Sequence, residues 1–151
     1  SKGITNYLVS VGNANFARGS NAKQQPWRIG IRTPTDDGFN IQQEAITLQG
    51  FDVSTSGSYL NYFEKEGKRY SHIIDPRSGR PITHNLASAT VIAPTPLEAN
   101  GWDISMMVLG TEKAIALAKE QGLAVYLISK SDSGYTTYMS PQFKQFLEKQ
   151  P

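Results

Sequence analysis

Cysteine is missing from the 151-residue chain. Disulfides, thiolate metal ligands and cysteine nucleophiles are therefore excluded, and the absence selects no compartment. Long apolar runs are missing too: no stretch approaches the roughly 20 residues of a membrane-spanning helix. Hydrophobic residues make up 38% of the chain and the mean hydropathy is −0.40, which predicts a globular domain. Neither sign of charge dominates, with 15 Lys and Arg against 13 Asp and Glu. The basic residues are scattered, so no cluster argues for nucleic acid as a partner. No signal-peptide pattern, internal repeat, low-complexity tract or linker is visible, and the reading is one domain over residues 1–151.

Histidine is scarce, and one of the two sits in the most informative stretch, Tyr70 to Pro81. There a strand-like approach runs into Asp75-Pro76, which starts a turn. Gly79 permits a positive φ and Pro81 stiffens the exit. Polar groups on a rigid loop at a strand end are common site material, although such a turn needs no function. His84 reads as a solvated loop histidine.

Strands are predicted over Thr5–Val11, Asn15–Arg18, Pro26–Arg32, Glu44–Leu48 and Phe51–Ser54, with a Pro/Asp/Gly loop over Thr33–Asn40. The run Ser54-Thr55-Ser56-Gly57-Ser58-Tyr59 allows either close approach of a ligand to the backbone or a Gly-Ser bulge. Tyr59–Phe63 and Tyr70–Ile74 read as a strand pair whose tyrosines, Tyr59 and Tyr62, pack on a sheet. Leu86–Ala93 is a further strand, ended by Pro94 and Pro96. Helices are expected late: Leu97–Leu109, with Leu97, Trp102, Met106 and Leu109 on its apolar face, then Glu112–Gln121 capped by Thr111 and closed by Gly122. Leu123–Ser129 and Tyr135–Met139 pair as strands. Ser140-Pro141 opens a short terminal helix. The fold class is α+β, mainly antiparallel, with late helices. Since many strands precede any helix, the sheet is expected to need an N-terminal half outside this chain, or a partner chain.

Several ordered segments resemble the FAD:protein FMN transferases of the ApbE family. They are Pro26-Trp27-Arg28-Ile29-Gly30-Ile31, Thr55-Ser56-Gly57-Ser58-Tyr59, His72-Ile73-Ile74-Asp75-Pro76-Arg77-Ser78-Gly79-Arg80-Pro81, Thr90-Val91-Ile92-Ala93-Pro94, and Glu98-Ala99 with Val108-Leu109-Gly110. The similarity runs from Gly3 to about Leu147 and corresponds to the C-terminal half of a family member. It implies a T-fold-like architecture, FAD as ligand, and magnesium-assisted cleavage of the pyrophosphate with FMN passing to a Thr or Ser of an acceptor protein. It further implies an acceptor in a membrane redox system and a periplasmic or extracytoplasmic setting. By resemblance, His72 is the catalytic candidate, and Ser56, Gly57, His72 and Ile73 contact the flavin nucleotide.

The sequence departs from that family at its site positions. The family's metal-binding Asp and Thr, one helical turn apart on one face, fall on Asn100 and Ile104. Asn100 can lend one neutral carbonyl oxygen, and Ile104 cannot ligate at all. Asp103 lies about 300° round the helix from Asn100, an adjacent position, and is not assigned as a ligand. The family's Asp-Val-Gly-Gly-Glu run is here Ser10-Val11-Gly12-Asn13-Ala14. The expectation divides between a transferase domain, a non-catalytic FAD-binding or structural module, and a piece inactive by itself. Asp52 to Ser58 also resembles a flavin-acceptor segment, a reading discounted because it lies inside the family's own motif.

Overall fold

In a computed structural model of the chain, the described residues are 3–35, 38–58, 62–65 and 68–148. The architecture is α+β and largely antiparallel. Its elements in chain order begin with β1 (Tyr7–Val11), β2 (Ala14–Arg18), β3 (Trp27–Thr35), β4 (Gly38–Leu48) and β5 (Asp52–Gly57). The small pairs β6 (Tyr62–Lys65) with β7 (Lys68–Ser71) and β8 (Ile74–Asp75) with β9 (Arg80–Pro81) follow. The chain continues through β10 (Leu86–Ala93), α1 (Pro96–Leu109), α2 (Thr111–Gln121), β11 (Ala124–Ser131), β12 (Gly134–Met139) and α3 (Pro141–Lys144).

Six strands form one antiparallel sheet in the order β1-β2-β5-β10-β11-β12. Period-2 alternation splits its central strands between two cores. Ala89 and Val91 of β10 with Val125 and Leu127 of β11 meet Met106, Met107, Ala114 and Ala118 of α1 and α2. On the other face Ile92, Tyr126 and Ile128 pack with Val53, with Ile31, Ile46 and Leu48 of the β3–β4 hairpin, and with Phe143. The helices therefore cover one face and the hairpin covers the other.

Helix α1 starts at Thr95, whose hydroxyl accepts from the Glu98 N–H at 3.3 Å and donates to the Glu98 carboxylate at 2.8 Å. The cap satisfies one backbone donor that would otherwise be orphaned, and the side-chain bond orients the capping hydroxyl. The helix turns Ala99, Asp103, Met106 and Met107 inward, while Leu97, expected on the apolar face, is 84% exposed. Gly110 (φ 80°) ends α1 and begins α2. A Cβ there would come within 3.0 Å of the His84 ring, so that corner takes only glycine. Thr111 is not the cap of α2; its hydroxyl instead bonds Ser129 at 2.7 Å. Gly122 closes α2 in the left-handed region, and Ser140 caps α3 through the Phe143 N–H.

The β3–β4 hairpin is longer than expected. Most of the predicted Thr33–Asn40 loop is strand, residues 36 and 37 lying outside the described residues. Backbone pairing from Arg32↔Ile41 to Thr35↔Gly38 there outweighs the turn propensity of Pro34 and Gly38. Ser54 to Gly57 is regular strand, paired on β10 through Ser88↔Gly57, and not a bulge. In the predicted Tyr59–Phe63 strand, residues 59–61 lie outside the described residues.

Candidate functional site

Strand β5 and helix α1 build the site together. Because alternate residues of β5 point to opposite faces, Ser54 and Ser56 meet the helix while Thr55 faces the β3–β4 side. The Ser56 hydroxyl donates to Asp103 Oδ1 at 3.0 Å, and the Asn100 amide reaches the Ser54 hydroxyl at 3.5 Å. Thr55 instead pairs with Thr90 of β10, Oγ1 to Oγ1 at 2.9 Å.

Asp103 is fully buried, and its Oδ2 makes no hydrogen bond among the described residues. Burial pushes its pKa up to about 6, opposed by the Ser54 and Ser56 hydroxyls and the Ile104 backbone. The sequence reading passed over this residue as a neighbour of Asn100. Its inward aim was readable from the Ala99, Asp103, Met106 and Met107 spacing, in which every residue lies three, four or eight positions from another.

The His72 loop is a turn organised on Asp75. The Asp75 carbonyl accepts from the Gly79 N–H at 2.8 Å and the Ser78 N–H at 3.2 Å. Its carboxylate accepts from Arg77 Nη2 at 2.7 Å, and also from Arg77 Nε and N–H. These bonds from Arg77 hold the Asp75 carboxyl down at about 2. Gly79 takes φ 65°, as the turn requires. His72 sits exposed just before this turn, and Ile73, half-buried, packs against the helix-side core while its carbonyl accepts from the Ile82 N–H. His84 is exposed but not merely solvated: its Nδ1 accepts from the Leu86 N–H at 3.3 Å and its ring lies against Gly110.

Between this loop and α1 runs an open apolar groove of about 600 Å³, lined by Ile74, Trp102, Ile104, Val108, Leu117 and Arg77 among others. Ile104 and Ile74 expose 45% and 48% of their surface there. Trp102 also packs on the helix-side core, as its apolar spacing predicted.

The structure thus joins Ser56 and Asn100 at one β5–α1 interface and brings Ile104 against the loop that carries His72. It does not fit the magnesium position implied at residues 100 and 104. Asn100 offers a neutral amide engaged with Ser54, and Ile104 adds hydrocarbon to an apolar groove. Magnesium requires hard oxygen donors, preferably carboxylate. The nearest carboxylate, Asp103, turns away from Ile104 toward the serines of β5.

The acceptor-like run Asp52 to Ser58 is also accounted for. Asp52 is fully buried in a bidentate pair with Arg18, at 2.6 and 2.9 Å, and accepts from the Ala17 N–H. Its neighbours through Gly57 are paired on β10. The run is therefore built into the sheet as a strand.

Residues 1–127 match the model of the ApbE family. The chain is 58% identical over 146 residues to the FAD:protein FMN transferase of Salmonella typhimurium and 56% identical to that of Escherichia coli K12. Each match covers 97% of this chain and 41% of the relative, so the chain spans about two fifths of these relatives' length. Among solved structures, the Vibrio cholerae flavin transferase ApbE superposes with a TM-score of 0.84 at 39% identity, over 97% of this chain and 46% of that one. The apo flavinyl transferase ApbE of Pseudomonas stutzeri gives 0.82 at 41% identity, over 95% and 44%.

Proposed function

This chain belongs to the ApbE family, and from that premise we propose that it is a flavin-nucleotide-binding domain that does not use the family's magnesium position. The observation that carries the reading is Ile104, whose side chain forms part of the apolar groove beside the His72 loop where the resemblance calls for a ligating hydroxyl. Asn100, one turn earlier, contributes an amide and no charge. The nucleotide is FAD, the molecule in the names of the relatives. Ser56, Gly57, His72 and Ile73 are the residues proposed to contact it.

Without a cation at residues 100 and 104, nothing there neutralises charge developing on a cleaved pyrophosphate, which is the main demand of phosphoryl transfer. What this chain's own residues supply is position. The Asp75–Arg77 turn fixes the approach of His72, and the Ser56–Asp103 bond holds β5 against α1. A second reading, favoured by the intact His72 turn, is that the domain works as part of an FMN transferase acting on an acceptor protein of a membrane redox system. Its setting would then be the extracytoplasmic face of the membrane.

Titration of the purified chain with FAD, with and without magnesium, tests the proposal. The expected result is an affinity that magnesium leaves unchanged, with no AMP released. Magnesium-dependent tightening, or AMP release, would favour the transferase reading. In the double substitution Asn100→Asp with Ile104→Thr, magnesium should begin to tighten FAD binding. If it does not, the assignment of these two positions to the cation is wrong.

A further inference from the structure

A cleft of about 230 Å³ lies near the Gly110 end of α1, bordered by β7, residues 82–85, the end of β11 and the start of β12. It shares no lining residue with the apolar groove, and none of the four residues proposed to contact FAD lines it. Its polar lining includes Ser71, Thr83, His84, Lys130 and Tyr135, and no carboxylate. Several acceptors around it are already used. The Asn85 carbonyl accepts from the Lys130 N–H at 2.9 Å, and the Lys130 carbonyl from the Asn85 side-chain amide at 3.0 Å. The Ala87 carbonyl accepts from the Ser58 N–H at 2.9 Å. At the same place the β10–β11 register slips between Leu86 and Ser88. Such irregularities re-aim side chains and recur beside binding sites.

The donors of the lining, in contrast, are unspent. His84 is held on two sides, its Nδ1 accepting from the Leu86 N–H at 3.3 Å and its ring lying against Gly110. With Nδ1 accepting, the neutral ring carries its proton on Nε2, which has no partner among the described residues. Nε2 then offers a donor and no lone pair for a metal. Ser71 is only 8% exposed; its oxygen accepts from the Ile73 N–H at 3.1 Å, while its own proton meets no acceptor among the described residues. A buried donor left in that state costs stability until something accepts from it. Lys130 and Tyr135 are register partners across β11 and β12, so their side chains share one face. Among the described residues the Lys130 ammonium makes no ion pair and the Tyr135 hydroxyl no hydrogen bond.

We infer that this cleft binds a tetrahedral oxyanion, a phosphoryl group either free or esterified. Lys130 supplies the charge, and His84, Tyr135, Ser71 and Thr83 supply neutral donors. These donors come from four segments, β7, residues 82–85, β11 and β12. That spread suits the several oxygens of a tetrahedral group better than the two of a carboxylate. The cleft is smaller than the roughly 300 Å³ at which sites for drug-sized ligands begin, so it is matched to a small group. The inference goes beyond the flavin reading and does not rest on it.

The test is calorimetric titration of the full chain with inorganic phosphate and, in a second arm, with methyl phosphate, at fixed ionic strength. Saturable binding of at least one is expected, with acetate binding more weakly than either. Tighter binding of methyl phosphate identifies an esterified group as the ligand, and equal or tighter binding of inorganic phosphate identifies the free ion. Lys130→Met, at an exposed position, should weaken binding about tenfold with circular dichroism unchanged, the worth of one charged hydrogen-bonding partner. Tyr135→Phe, which removes only the hydroxyl, should weaken it about threefold. The imidazole Nε2 resonance of His84 should shift on phosphate addition, a response that a merely structural histidine would not give. Absence of saturable binding, unchanged affinity in both variants, a silent His84 resonance, or acetate binding as tightly as phosphate would each overturn the inference.

Discussion

The centre of the six-stranded sheet and its β1 edge are held by different forces. In the helix-covered centre every residue of β10 is buried, as are the first six of β11. At the edge every residue of β1 is exposed, including Leu8, Val9 and Val11. The β1–β2 hairpin is tied to the rest by backbone pairing and the Arg18–Asp52 pair, with the Trp27 indole N–H donating to the Arg18 carbonyl at 2.9 Å. The departures from the family resemblance follow this contrast. Ser10 and Asn13 sit on the exposed hairpin, Ile104 is exposed on α1, and Asn100 lies at the rim of the β5–α1 interface. Asp103, on the inner side of the same helix, is a buried acid.

The contrast can be broken most sharply at its strong end. Leu127→Ala, inside the helix-side core, should cost about 2–5 kcal/mol in urea unfolding. A loss under 1 kcal/mol would mean that the helix-covered half is not the stable one. Arg18→Ala comes next, because it strands the buried Asp52 carboxylate. Arg18 itself is one-third exposed, so the expected cost is about 2–3 kcal/mol, below that of a fully buried pair. Recovery in the double variant Arg18→Ala with Asp52→Asn would identify the stranded charge as the cause.

Asp103 sharpens the contrast in the opposite direction. Its folded pKa is raised from 3.8 to about 6, so the folded state holds the proton more tightly than the unfolded chain. Its contribution to stability is complete below its ordinary value and is lost as pH rises through about 6. Asp103→Asn should therefore flatten the dependence of Tm on pH between 4 and 7 and stabilise the domain at pH 7 by about 1–2 kcal/mol. An unchanged pH profile would mean that the carboxyl is not the titrating group. The smallest effect belongs to the exposed edge, where Val9→Lys should change stability by no more than about 0.5 kcal/mol.

Much of this was legible in the sequence. The strands over Leu86–Ala93 and Leu123–Ser129, the helices bracketed by Gly110 and Gly122, and the Ser140-Pro141 start all carry local signals that the packing reinforces. Asp75-Pro76 and Gly79 announced their turn. What local patterns do not encode is which partner lies opposite. Thr33 to Asn40 reads as a loop until a second strand is placed beside it. Leu97 reads as core until the helix is rotated by the demand to bury Ala99, Met106 and Met107. Asp103 was the costliest omission: an acid is expected to face water, and only its spacing from those apolar neighbours gave the contrary indication.

Helix α1 is clamped at both ends, by the Thr95–Glu98 cap and by the His84 ring against Gly110. Its rotation is set by the burial of Ala99, Asp103, Met106 and Met107, and neither residue 100 nor residue 104 is among them. Those two side chains can be rewritten without re-aiming the rod that carries them. The domain is accordingly a host prepared for grafting: an acid and a hydroxyl returned to those places would arrive already oriented, and its chemistry can be exchanged while its frame stands still.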